Sequence, residues 1–317
     1  MKGNFMVRLL MALLVLTVFG AYSYFHAAYT PFSDELTAAQ NVSAAPLEIA
    51  ATPVPEAPAP EAEPAPAVSL ADKIAAKCKV TGRDAWWGYK RTRFEFEGHA
   101  AWVVEPKVAA DPQRRWTWTM QWADAFVDRT GVLDLLAKGW HHVTIDVFDR
   151  RMDDEGVRIC RAFQKFLVDE LGFDDKARLV GMSWGGFFSV RYAASHPDCV
   201  AKICLDGPLL TFDGFDEGNI GPWKASRPEE GWAADPRMPI NLAGKLIEAR
   251  IPVLLYYGGQ DKTVNPAKNA EALWDAYKKA GEANKLLGVK PRPFYGHHPH
   301  GEDPDKTAPI VRFFEKD

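Results

Sequence analysis

One short stretch limits the folds open to this chain more than any other: Leu179-Val180-Gly181-Met182-Ser183-Trp184-Gly185-Gly186. An apolar run at 177–182 enters a serine set between glycines, and a helix-like stretch at 185–196 follows with no intervening loop. This reads as strand, sharp turn and helix. Such a turn lifts one hydroxyl above the carboxyl edge of a parallel sheet, on a backbone strained by about 1–3 kcal/mol. Gly181 and Gly185 are expected where side chains would collide across the turn. The Trp184 N–H, at the helix start, is expected to face developing negative charge.

The sequence around this turn alternates between the two periods. Strands are expected at 141–147, 177–182, 201–205, 251–257 and in a short run ending near 294, with helices at 154–171, 185–196, 267–280 and 307–314. Before them come an amphipathic stretch at 71–78, a hairpin from 91–97 and 100–105 with Gly98 at its turn, and a strand candidate at 116–122. Alternation of this kind implies an α/β fold of three layers with a mainly parallel sheet. Residues 212–239 break the rhythm with Gly, Pro and acidic residues and carry Trp223 and Trp232. A loop or small cap beyond the carboxyl ends of the strands is expected there, where ligands bind in such sheets.

Domain organisation follows from composition. Lys2 and Arg8 precede an uncharged stretch over 9–29, so residues 1–29 read as a cleavable signal peptide or an uncleaved membrane anchor. Residues 30–68 turn to Ala, Pro and Glu, a composition that buries no core and favours extended polyproline II. The globular part, 69–317, suits one catalytic domain. An exported domain, released or tethered to a membrane, is the expectation. The net charge of −4 carries no nucleic-acid signature. Cys78, Cys160, Cys199 and Cys204 lack paired C-x-x-C spacing, which leaves one disulfide or buried free thiols.

A serine hydroxyl is a weak nucleophile that needs a base oriented by a carboxylate, and in this topology the chain order is Ser, acid, His. Asp261 follows the buried run 251–257 and the glycines Gly258 and Gly259, which puts it at a strand's carboxyl end. Asp206, after the preceding strand, is the rival acid. The base is expected from Gly296-His297-His298-Pro299-His300-Gly301, with His297 first after the last strand. His298 and His300 read as supporting groups, since H-H-x-H lacks an obvious fourth metal ligand. A second oxyanion donor is expected from the backbone N–H of Gln121 or Met120.

Together GMSWGG, YYGGQDKTVNP and GHHPHGEDP resemble the nucleophile elbow, acid loop and histidine loop of the α/β-hydrolase superfamily. The closer likeness is to bacterial exported hydrolases labelled prolyl oligopeptidase-like or acetyl xylan esterase-like, through Trp116-Thr117-Trp118 and Leu205-Asp206-Gly207-Pro208. The resemblance implies a Ser183, Asp261, His297 triad and a hydrolase; hydrolysis of a small-molecule or glycan ester, with no cofactor, is the leading expectation. Those relatives often carry Arg after W-x-W, where this chain has Thr119, Met120 and Gln121. Trp122, Trp184, Trp223 and Trp232 are candidates to line a sugar-binding mouth, against the reading that most of the eleven Trp residues fill the core. The alternatives are a peptidase, whose relatives carry a large further domain, and an inactive tethered binding protein.

Overall fold

The computed structural model describes residues 68–316; the leader expected at 1–29 and the expected linker up to residue 67 lie outside them. Three strands open the fold: β1 (Lys79–Trp86), β2 (Tyr89–Phe96) and β3 (His99–Val104). Trp87-Gly88 and Glu97-Gly98 join them, all four at positive φ, as tight hairpin turns demand. Next come β4 (Trp116–Thr119), β5 (His141–Ile145), β6 (Ala177–Met182), β7 (Val200–Asp206), β8 (Val253–Gly258) and β9 (Leu287–Arg292). The nine form one sheet in the order β1-β2-β3-β5-β4-β6-β7-β8-β9. Pairing is antiparallel from β1 through β5 and parallel from β5 to β9.

Among the described residues seven helices accompany the sheet: α1 (Leu70–Ala75), α2 (Val132–Ala137), α3 (Asp154–Asp169), α4 (Trp184–Ser195), α5 (Ala243–Glu248), α6 (Ala270–Lys279) and α7 (Ala308–Glu315). Central strands buried on both faces send alternate residues to two cores. Leu179, Ile203, Leu205, Val253 and Leu255 join one core with the apolar sides of α3, α4, α5 and α6. Val180, Cys204, Leu254 and Tyr256 join the other with Leu135 and Leu136 of α2 and Ile310 and Phe314 of α7. The sheet is thus covered on both sides, and the carboxyl ends of β6, β7 and β8 stay free to carry loops. Among the described residues no helix is long and apolar enough to cross a membrane.

One strand is shorter than expected: that foreseen at 116–122 stops at Thr119, and Trp122 sits in a loop at φ 64°. Residues 212–239 form the loop expected there, a chain of 3-10 turns that includes Gly221–Ser226 and Trp232–Ala234. Strand β1 and the short helices α2 and α5 were not foreseen: β1 carries few apolar residues, and helices of six residues are too short to display a period. All four cysteines are free, and burial pushes the Cys160 and Cys204 thiols well above the ordinary range.

Candidate active site

Ser183 ends β6 at φ 51° and ψ −118°, a conformation that non-glycine residues rarely adopt. Its backbone is held on both sides: its N–H donates to the Asp206 carbonyl at 3.1 Å, and its carbonyl accepts from Gly186 at 2.9 Å and Leu209 at 3.0 Å. A Cβ at Gly181 would stand 2.6 Å from Ser189 Oγ and 2.7 Å from the Gly185 carbonyl oxygen. At Gly185 the nearest atom would be 3.4 Å away, an ordinary contact, whereas at Gly186 it would meet Pro208 Cβ at 2.3 Å. The glycine that the helix crossing requires is therefore Gly186; Gly185 is not excluded by sterics.

Asp261 turns back at the end of β8. One carboxylate oxygen accepts from the amides of Thr263 and Val264, both at 2.8 Å, and the other faces His297 Nδ1 at 2.7 Å. Burial alone would raise this carboxyl, but the hydrogen bond from His297 and those two amides hold it below the usual range. An ionised carboxylate only accepts, so Nδ1 carries the proton and Nε2 keeps its lone pair. His297 Nε2 lies 3.0 Å from Ser183 Oγ. Gly258 permits the arrangement, because a Cβ there would stand 2.0 Å from the Gly296 carbonyl oxygen.

The loop carrying His297 is clamped from below by the rival acid. Asp206 accepts from the Gly301 amide at 2.6 Å, faces His300 Nδ1 at 3.3 Å and pairs with Arg292. Arg292 also donates to the Gly301 carbonyl at 2.8 Å, and Arg129 donates to the His300 carbonyl at 2.9 Å. Asp206 thus spends its carboxylate on loop geometry while Asp261 serves the imidazole. His300 is buried behind His297, and exposed His298 stacks on Phe126 with ring centroids 5.6 Å apart.

The choice between Met120 and Gln121 falls to the sheet. Met120 donates its N–H to the Val180 carbonyl at 3.1 Å, so Gln121 supplies the next amide, and Gln121 N lies 3.4 Å from the Cβ position of Gly185. The loop after β4 therefore crosses the start of α4, where the Trp184 N–H begins the helix. Trp122 is 42% exposed and packs on Phe148 at 5.0 Å; Phe148 in turn meets Trp184 at 5.8 Å, and Trp184 meets Phe215 at 5.7 Å.

Trp223 and Trp232 do not line this surface. They are 2% and 3% exposed, pack on Phe212, and donate their indole N–H to the Arg151 carbonyl and to Glu217. Eight of the eleven Trp residues are buried in this way. The sequence reading missed Arg151, whose guanidinium lies 3.5 Å over the Phe148 ring and 5.6 Å from Trp184. No periodicity or motif marks it.

Comparison with known proteins agrees with this architecture. A family model described as the alpha/beta hydrolase fold matches residues 122–225, a span that holds Ser183 but neither Asp261 nor His297. A 1-acylglycerol-3-phosphate O-acyltransferase of Saccharomyces cerevisiae is 34% identical over 74 residues, 21% of this chain and 19% of the yeast protein. A fluorophosphonate-binding serine hydrolase of Staphylococcus aureus superposes with a TM-score of 0.55 at 11% identity, over 70% of this chain and 96% of that one. Dipeptidyl peptidase 4 of Porphyromonas gingivalis gives 0.51 at 16% identity, over 75% of this chain. The match spans about a fifth of the yeast protein and 36% of the peptidase.

Proposed function

We propose that this chain, which has the α/β-hydrolase fold, is a serine hydrolase that cleaves a carboxylic ester through an acyl-enzyme. The observation that carries the reading is the continuous path from Ser183 Oγ to His297 Nε2 at 3.0 Å and from Nδ1 to Asp261 at 2.7 Å. Ser183 Oγ attacks the ester carbonyl as His297 Nε2 takes its proton. The oxyanion is held by the N–H groups of Trp184 and Gln121. Collapse expels the alcohol, which leaves with the proton from His297. Water, deprotonated by the same nitrogen, then attacks the acyl carbon and frees Ser183. Asp261 keeps the imidazole in the tautomer this cycle needs and stabilises its charged form.

For the substrate, the exposed face of Trp122 beside Phe148 suits a sugar ring or an acyl chain. An acylated glycan in the bacterial cell envelope is the proposed setting, with the chain secreted or held at the membrane by residues 1–29. A peptide substrate is the second reading, favoured by the likeness to the peptidase, of which this chain matches about a third.

The test is labelling of the purified chain with a fluorophosphonate probe. Wild type is expected to label, Ser183→Ala not at all, and Asp261→Asn about ten-thousand-fold more slowly. Acyl esters, acylated sugars and peptide anilides offered at equal concentration then separate the two substrate readings. A folded wild type that never labels sinks the hydrolase reading.

A further inference from the structure

The proposed reaction uses one imidazole of the three that meet on the loop after β9. His297 and His298 have ring centroids 4.8 Å apart, and His300 lies 4.9 Å from each of them. One nitrogen from each ring falls within 4.8 Å of the other two. Two of the three rings are backed by a carboxylate: Asp261 takes His297 Nδ1 at 2.7 Å and Asp206 faces His300 Nδ1 at 3.3 Å. That leaves Nε2 of His300 free and Nε2 of His297 facing only the Ser183 hydroxyl. His300 Nε2 is buried and has no hydrogen-bond partner among the described residues, a cost that a buried polar atom normally avoids.

We propose that His297, His298 and His300 bind a divalent transition-metal ion, zinc being the best match, and that the bound ion takes His297 Nε2 away from Ser183. A carboxylate behind a histidine, fixing its tautomer and leaving the other nitrogen free, is the usual outer shell of a metal ligand. Three neutral imidazoles suit zinc, with water completing a tetrahedron. Zinc–nitrogen bonds of about 2.0–2.1 Å place tetrahedral nitrogens about 3.4 Å apart, so the loop has to close by roughly 1 Å. Exposed His298, with one ring face on Phe126, is the member free to move. The consequence is reversible inhibition, which rests on the hydrolase reading; the binding does not.

Zinc(II) is titrated onto the full chain in competition with a chromogenic chelator. One tight ion per chain is expected, unchanged in Ser183→Ala and weakened tenfold or more in His298→Ala, a surface substitution that leaves the fold intact. In parallel, fluorophosphonate labelling is expected to fall as zinc is added, to recover with chelator, and to need at least tenfold more zinc in His298→Ala. Equal zinc affinity in wild type and His298→Ala, or no binding by wild type, overturns the site. Binding that depends on His298 in a protein that never labels removes the hydrolase reading and leaves the metal site standing.

Discussion

Gly181 and Gly186 have no room for a methyl group, while Gly185 has. The spacing G-x-S-x-G points to a turn, but which of two adjacent glycines is sterically required depends on where Pro208, from the loop after β7, comes to rest. Gly186→Ala is expected to cost about 1–3 kcal/mol through overpacking against Pro208. Gly185→Ala is expected to be neutral or to gain up to ~1 kcal/mol from helix propensity. Urea unfolding of the two variants checks this, and equal losses in both would show that the turn itself, not the helix crossing, excludes the side chain. Ser183 is the residue the sequence marks most clearly, because its strained φ of 51° leaves a signature in its neighbours as well as in itself.

At the scale of elements, the loop after β9 is where two aspartates part company. Both end parallel strands, so position alone gives them equal standing, and only the register of β7 and β8 against the loop separates them. Asp206, 6% exposed, holds Arg292, Gly301 and His300, and Asp261 holds His297. Asp206→Ala strands the Arg292 guanidinium, itself 13% exposed, and is expected to cost about 3 kcal/mol of stability. Asp261→Ala is expected to depress labelling far more than unfolding. Thermal melts and labelling rates measured on both variants decide it; a stable Asp206→Ala protein with abolished labelling would return Asp206 to the role of acid. The motif Leu205-Asp206-Gly207-Pro208 gains its reason here: the acid clamps the loop, a Cβ at Gly207 would stand 3.2 Å from His300 Cε1, and Pro208 fills the space beside Gly186.

The whole molecule carries a pH dependence set in its core. His141 and His142 of β5 are buried, and burial pushes both down to about 3 from an ordinary 6.5. They stay neutral when folded and take protons when unfolded. Below pH 6.5 the unfolded chain therefore binds more protons, and stability is lost as pH falls toward 3. The slope is about 1.4 kcal/mol per pH unit for each histidine. His142, between Trp86 and Trp102, offers the test: His142→Phe is expected to lose a constant amount at every pH and to flatten the fall between pH 6.5 and 5. An unaltered slope would place the acid sensitivity elsewhere. The pair was not legible beforehand, because a strand of five buried residues looks the same from its pattern whether a histidine on it is a ligand, a base or filling.

The α/β alternation, the sharp turn at Ser183 and the candidacy of Asp261, Asp206 and His297 as its partners were legible without coordinates, because those depend on local periodicity and on residues that one strand or turn must carry. It took the packed sheet to set Asp206 on the Gly301 amide, to tie the Met120 amide to Val180 and leave Gln121 beside Gly185, and to bury Trp223 and Trp232. Each of those depends on which atom of a distant strand arrives first at a given hydrogen bond or cavity. That is set by sheet register and packing, and no local pattern encodes it.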